Sequence, residues 1–303
     1  MTVAVVGAGI AGAACARALV AAGHDVRVLE RAHVPGGRMA SRQLDGRPVD
    51  LGASYLTVSD DAFRAVVDDW LARGLARPWT DTFHTATPAG LGEPKQGPLR
   101  YGAAGGLRSL VADLATGLDV RTGTEVRAVG PGPQVDGQPY DAVVLAMPDP
   151  QARRLLDPAL QGLADRVYAP VLALSARFAQ RDWAYDGVFV NDDDVLAWVA
   201  DDGSRRGDGA PVLVAHSTAA FASEHLSDAA ATGPELVAAL RRVLALDEPQ
   251  STYVQRWTYA KPVGDRSAPY ALVDGVGLCG DGWGPSKVEA AWLSGYRLGR
   301  ALA

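Results

Sequence analysis

The chain has 303 residues, 48% hydrophobic and 21% charged, with 35 acidic against 29 basic side chains and a net charge of −6. That balance describes a globular protein of about two domains with a large core, and without a basic block it argues against a nucleic-acid partner. Two cysteines, Cys15 and Cys279, give no disulfide framework, five scattered histidines give no metal-ligand spacing, and no apolar run approaches the ~18 residues of a membrane span. The expected setting is a reduced cytoplasm, with neither membrane nor metal.

A short β-type run opens the chain at Val3 and breaks into Gly7-Ala-Gly9-Ile10-Ala11-Gly12, which leads straight into a helix-forming segment reaching Ala22. Strand, GxGxxG and helix in that order form a dinucleotide-binding fingerprint. Gly7 makes the tight turn, Gly9 lets backbone approach a pyrophosphate, and Gly12 lets helix and strand pack closely. The unsatisfied amides and positive dipole end of the helix then receive the pyrophosphate. A second strand, from His24 to Leu29, ends in Glu30, at about the twenty-residue offset of a ribose 2′-OH acceptor.

Arg31 opens a loop in which Gly36 and Gly37 invite close backbone approach and Arg38 supplies a planar cation suited to phosphate. A loop of this kind, directly after the ribose-holding strand, points to a larger dinucleotide than the first motif needs. The segment from Arg47 to Tyr55 adds an extended piece with an acid, Asp50, and another glycine. From Asp60 to Arg73, Phe63, Val66, Val67, Trp70 and Leu71 form one helical stripe. Residues 76–98 read as short strands and loops, and a second glycine cluster ending at Gly106 opens a helix from Leu107 to Ala115. Val120 to Val129 reads as a strand interrupted at Gly123, and Tyr140 to Ala146 as a buried strand stopped by Pro148.

From about Pro150 consecutive strands follow without intervening helices, near residues 167–179, 187–190, 195–200 and 211–217, which points to an antiparallel sheet in a second domain. Asp192 to Asp194 reads as a solvated hairpin tip. Helices follow near 219–226 and 234–246, with Asp228 and Thr232 as capping candidates. The chain then offers strands from Ser251 to Tyr259 and Val276 to Cys279, the turn Gly280-Asp281-Gly-Trp283-Gly284, and a last helix from about Pro285.

Taken together, G-A-G-I-A-G with Glu30, G-G-R-M-A-S at 36–41, D-L-G-A-S-Y at 50–55, and G-L-C-G-D-G-W with K-V-E-A-A-W-L-S-G at 277–295 resemble a flavoprotein of the amine-oxidase superfamily. R-W-T-Y-A at 256–260 and H-S-T at 216–218 are similar to its small bacterial renalase-like members. The resemblance implies an α/β FAD-binding Rossmann-type domain built from residues 1–55, 97–150 and 250–303. An α+β substrate domain with a mostly antiparallel sheet would be inserted as 56–96 and 151–249. It further implies that Gly7, Gly9, Gly12 and Glu30 hold the ADP half of FAD, with Gly37 and Arg38 near the pyrophosphate and Val126 near the adenine. Asp281 would accept a hydrogen bond from the ribityl or pyrophosphate region and Trp283 would touch the flavin. Ile10, Ala11, Arg31, Met39, Gly280 and Val288 complete the cofactor set. No covalent-flavin cysteine motif is present, so the FAD is expected to be noncovalent.

Renalase-like proteins oxidise isomeric dihydronicotinamides, and the resemblance implies hydride transfer from a 2- or 6-dihydro-NAD(P) to flavin N5, followed by reduction of O2 to H2O2. Aromatisation of the ring drives such a step, so no side-chain base is required. Tyr55, Arg100, His216, Trp257 and Tyr259 are the substrate-cavity candidates. The alternatives are an amine or secondary-metabolite oxidase, for which Lys261 and Lys287 are the late-chain lysines, and a flavin-binding protein without turnover.

Overall fold

The computed structural model describes residues 1–264 and 266–303. Six strands form the first sheet in the order Ala271–Val273, Val276–Leu278, Ala142–Leu145, Thr2–Val6, Asp25–Leu29 and Asp119–Arg121. Thr2–Val6 runs parallel to both neighbours, and only the edge strand Ala271–Val273 is antiparallel. Its valines are continuous rather than alternating because both faces of the sheet are covered. The helices Ile10–Ala21 and Val288–Leu302 pack on one side, while Val126, Val129, Leu156 and Leu160 close the other.

The first helix is rich in alanine because a second backbone must lie against it. A Cβ on Gly295 would sit 1.9 Å from the Ala11 carbonyl oxygen, and one on Gly299 would sit 2.7 Å from that of Cys15. The last helix therefore docks on the first at backbone contact, and the opening glycine turn is held from behind.

Seven strands form the second sheet, in the order Ser251–Pro262, Tyr168–Arg177, Val212–Ser217, Leu196–Asp201, Gly187–Val190, Arg77–Thr87 and Gly90–Gly102. Leu172, Leu174 and Leu213 on one face pack against Leu236 and Leu240 of the helix Gly233–Leu244. Ala173, Val214, Trp198 and Phe83 on the other face pack against Val49, Leu51 and Tyr55, which belong to the segment following the first nucleotide-binding loops. That second face is the wall of the site.

The structure departs from the sequence expectations at several points. Ser251–Pro262, which the sequence groups with the cofactor-binding segments, is an edge strand of the second sheet paired with Tyr168–Arg177; its apolar pattern suits either sheet, and only its partner decides. Residues 77–102 form one long hairpin rather than short strands. The run from Val120 to Val129 is two short strands, Asp119–Arg121 and Val129–Gly130, separated by a turn in which Gly123 has φ 67°. Asp193 is buried rather than solvated. It accepts hydrogen bonds from the Val195 and Leu196 amides at 3.0 and 2.8 Å and pairs with Arg242 at 2.7 Å. Neither Asp228 nor Thr232 caps Gly233–Leu244; the Thr232 hydroxyl donates to the Ala229 carbonyl instead. No helix among the described residues is long and apolar enough to cross a membrane.

A buried ionic network joins the two sheets. Asp50 accepts from the Leu107 amide with both oxygens at 3.2 Å, so it caps the helix Leu107–Ala115, and from the Ser41 hydroxyl at 2.5 Å. Arg206 reaches Asp50 at 3.1 Å and Asp202 at 3.0 Å, Arg205 pairs with Asp202, and Arg47 reaches Asp202 at 2.6 Å. Burial pushes the Asp202 carboxyl up, but the fields of Arg205, Arg206 and Arg47 overcome it and hold the group below its ordinary value.

Gly295→Ala is expected to cost at least ~3 kcal/mol, because the added carbon meets backbone that cannot swing aside. Gly162→Ala, whose Cβ would meet nothing within 4 Å, is the matched control and should stay within about 0.5 kcal/mol in urea unfolding. Equal midpoints for the two variants would contradict the backbone-contact account.

Candidate functional site

The two glycine loops converge. Gly7 adopts φ 108° and its amide donates to the Leu29 carbonyl at 2.8 Å, which places the turn over the ends of the first two strands. A Cβ on Gly12 would lie 2.0 Å from the Gly7 carbonyl oxygen, so this glycine lets the helix begin against its own turn. Gly9 differs from both: its φ is −78° and a Cβ there would meet nothing within 4 Å. The space is open, no side chain caps the helix Ile10–Ala21, and Gly37 lies across the gap, where a Cβ would come 3.4 Å from Gly9 Cα. The Gly36 amide donates to the Ala8 carbonyl at 3.0 Å and fastens the second loop to the first. Bare helix amides facing a gap between two glycine loops fit a diphosphate.

Glu30 accepts from the amides of Ala8 and Ala32, each at 2.7 Å, one oxygen to each. The carboxylate is thereby fixed at the strand end with lone pairs left for ribose hydroxyls. Beside it a hollow of about 500 Å³ is lined by residues that include Leu29, Thr124, Val126 and Tyr140. Val126 thus lines a cavity next to Glu30, on the side where an adenosine half would extend.

Arg38 and Asp281, assigned separately from sequence, bond to each other as a fork, Nη1 to Oδ2 at 2.8 Å and Nη2 to Oδ1 at 2.6 Å. Arg38 also donates to the Ala260 carbonyl at 3.1 Å, and the Tyr168 hydroxyl donates to Asp281 at 3.3 Å. Three of the five guanidinium hydrogens are used, so two remain for a ligand. Burial raises the Tyr168 phenol well above its usual range, and the Asp281 charge adds to this, so Tyr168 stays a donor. Met39 is buried and Val288 begins the last helix. Gly280 (φ 146°) donates its amide to the Ser294 hydroxyl at 3.0 Å. Trp283 lies under Arg266, whose guanidinium is 4.1 Å from the ring centroid, and packs with the cluster around Leu278. Cys279 is fully buried, and burial raises its thiol well above the ordinary value.

The cavity candidates gather on the second sheet. His216 stands opposite Ala173 on one neighbouring strand and Trp198 on the other. Trp257 donates its indole N–H to the Leu51 carbonyl at 2.9 Å, and its ring edge would be 3.3 Å from a Cβ on Gly52. Burial pulls His216 down to about 3, the charges of Lys261 and Arg205 act the same way, and the Leu51 backbone opposes them. Its Nε2 has no partner among the described residues. Lys261 reaches solvent, although the packing around it lowers its pKa. Tyr259 bonds to Arg154, which also lies over its ring at 5.6 Å.

Tyr55 and Arg100 belong to an aromatic group that sequence reading missed. Tyr55 lies 5.4 Å from Phe83, 5.9 Å from Trp198 and 6.0 Å from Trp79, and Phe83 lies 4.8 Å from Trp198. The Arg100 guanidinium carbon is 3.7 Å from the Phe83 centroid. Trp79 and Phe83 share the strand Arg77–Thr87 and Trp198 comes from the distant strand Leu196–Asp201, so no local pattern announces the group.

Gly9→Ala is expected to leave apoprotein stability unchanged, because the added methyl enters open space, while weakening FAD binding at least tenfold, about 1.4 kcal/mol. Urea unfolding of the apoprotein and flavin-fluorescence titration check the two halves separately. A second expectation concerns acid. With His216 held near 3, the unfolded chain takes up its proton first as pH falls below ~6.5, so stability declines by up to about 1.4 kcal/mol per pH unit. His216→Gln removes that slope; identical urea midpoints against pH for both proteins would show that His216 is not held neutral.

Residues 5–70 match the NAD(P)-binding Rossmann-like domain family, and residues 91–302 match the family described as flavin containing amine oxidoreductase. A phytoene dehydrogenase of Streptomyces griseus is 49% identical over 67 residues, 21% of this chain and 13% of that protein. A putrescine oxidase of Kocuria rosea is 43% identical over 67 residues, 22% of this chain and 14% of that protein. The matched stretch thus spans less than a sixth of these curated relatives. Among solved structures, a triple variant of putrescine oxidase superposes with a TM-score of 0.78 at 17% identity, covering 100% of this chain and 99% of that one. An oxidoreductase from Methanosarcina mazei gives 0.75 at 14% identity, covering 98% and 99%. These low identities show a shared fold. The match over residues 91–302 covers more than half of the sequence, so the chain belongs to the flavin containing amine oxidoreductase family.

Proposed function

We propose that this protein is a renalase-like oxidase of isomeric dihydronicotinamides, the 2- and 6-dihydro forms of NAD(P), with O2 as acceptor and H2O2 as product. The observation that carries this reading is the charge of the site. On the face of the second sheet that bears Trp198 and His216, the cations Lys261 and Arg100 form no ion pair with a carboxylate among the described residues, and His216 beside Lys261 is held neutral. Such a surface repels a cationic amine and welcomes a substrate that carries phosphate.

Bound FAD supplies a hydride acceptor at N5 and a route for two electrons to O2. The chain's own residues position and shield. His216, kept neutral by burial, presents an unpartnered ring nitrogen that suits a carboxamide. Trp257, fixed by its bond to Leu51, offers a planar ring against which another can lie. No side chain needs to remove a proton, because the ring becomes aromatic as hydride leaves.

A second reading, oxidation of an amine or a secondary metabolite, draws on the aromatic group of Tyr55, Trp79, Phe83 and Trp198 and on the structural likeness to putrescine oxidase. Anaerobic mixing of FAD-loaded protein with borohydride-reduced NAD+, with ordinary NADH and with an amine panel separates the two. Flavin bleaching by the isomer mixture, at least 100-fold faster than by NADH, is the expected result. Bleaching by an amine and not by the isomers would transfer the assignment to the second reading.

A further inference from the structure

Tyr168 opens a strand of the second sheet, yet its side chain ends at the turn before the last helix. The residue is 7% exposed, and its hydroxyl donates to Asp281 Oδ1 at 3.3 Å. The neighbouring edge strand reaches the same place, since the Ala260 carbonyl accepts from Arg38 at 3.1 Å. Pro262 stands opposite Tyr168, and the partners of Ala169 and Val171 are Lys261 and Trp257, so the edge strand bulges there. Bulges of this kind re-aim groups beside functional sites. The fork between Arg38 and Asp281 is thus held from the sheet that carries His216 and Trp257. The turn is shaped to admit the phenol, because a Cβ on Gly282 would collide with the Tyr168 hydroxyl. Asp149, the other nearby acid, pairs with Arg266 at 2.7 Å, and the phenol donates to Asp281 instead.

A carboxylate only accepts, and it offers about four lone-pair sites, shared between its two oxygens. On Asp281 Oδ1 both are filled, by Arg38 Nη2 at 2.6 Å and by Tyr168 at 3.3 Å. On Oδ2 one is filled, by Arg38 Nη1 at 2.8 Å. Among the described residues, one acceptor site on Oδ2 is therefore left for a ligand. A diphosphate at neutral pH has no proton to give a carboxylate, whereas the ribityl chain of FAD is a row of hydroxyls. The open site fits a ribityl hydroxyl, and the two unused hydrogens of Arg38 suit the diphosphate. We propose that Tyr168 is a positioning residue for the cofactor: by filling Oδ1 it leaves Asp281 a single acceptor, Oδ2, for a ribityl hydroxyl. This assignment rests on the converging glycine loops being the FAD site. Without the phenol, Oδ1 keeps a spare lone pair, which water fills while the site is open and which a bound ribityl chain and flavin would seal off.

The test compares FAD with ADP, which shares the adenosine and the diphosphate but has neither ribityl chain nor flavin. The full chain is stripped of flavin, FAD affinity is read from flavin fluorescence, and ADP affinity from competition with FAD. Tyr168→Phe is expected to bind FAD about fivefold more weakly, the ~1 kcal/mol of one hydrogen bond, and to bind ADP as tightly as wild type. Gly282→Ala, which displaces the hydroxyl without deleting it, should follow the same pattern. Gly9→Ala should weaken both ligands; if it weakens neither, the glycine loops are not the FAD site, and the reading beneath the proposal fails. Unchanged FAD affinity in Tyr168→Phe overturns the proposal, and so does an equal loss for FAD and ADP, which marks loosened packing. Where a stripped variant does not stay folded, the rate of flavin release from the loaded protein takes the place of the titration. Release from Tyr168→Phe should be about fivefold faster than from wild type, and an equal rate overturns the proposal.

Discussion

The two halves of the molecule are fastened by a buried set of charges, and the placement of the site depends on it. Asp50 stands at the centre, since one carboxylate caps the helix Leu107–Ala115, holds Ser41 and receives Arg206. Arg205 and Arg206 come from the short helix Asp202–Arg206 that follows the strand Leu196–Asp201 of the second sheet, and Arg205 also donates to the Ser54 carbonyl at 2.7 Å. The backbone from Asp50 to Ser54 is thereby held by groups from the opposite side of the molecule. That backbone carries Leu51, onto which Trp257 is bonded, and leads into Tyr55. Such networks are poor sources of net stability, but removing one member strands the others in a dry interior. What this one contributes is position: the wall bearing His216 is set at a fixed height above the nucleotide loops.

The same logic applies at the cofactor end. Arg38 and Asp281 form a fork across 243 residues of sequence, tying the second glycine loop to the turn before the last helix. Each then has part of its bonding capacity left over. The structure holds these groups rigidly before any ligand arrives, which lowers the ordering cost of binding.

The glycine turn could be read from sequence because each glycine answers to its own local backbone demand, in Gly7 a positive φ and in Gly12 a contact with its own turn. The antiparallel sheet was also legible, since consecutive apolar runs without helices leave little else. Pairing was not. Ser251–Pro262 could not be assigned to its sheet, and Trp198 could not be seen to join Trp79 and Phe83, because register between distant strands leaves no mark in any single segment. Asp202 to Arg206 carries no mark of burial in sequence for a related reason: charged residues are usually solvated, and only the folded chain reveals that these three charges satisfy one another.

The docking of the last helix on the first, backbone to backbone at Gly295 and Ala11, has a consequence for how the chain matures. The nucleotide-binding sheet draws its strands from residues 2–29, 119–145 and 271–278, and its opening helix is covered by Leu107–Ala115 on one flank and, at backbone contact, by residues 288–302. During synthesis the glycine turn therefore stays uncovered on one side until nearly three hundred residues have followed it. Long-range closure of this kind is slow and leaves apolar surface bare meanwhile. The fork between Arg38 and Asp281 is the clasp of that closure, since it joins segments whose meeting completes the domain.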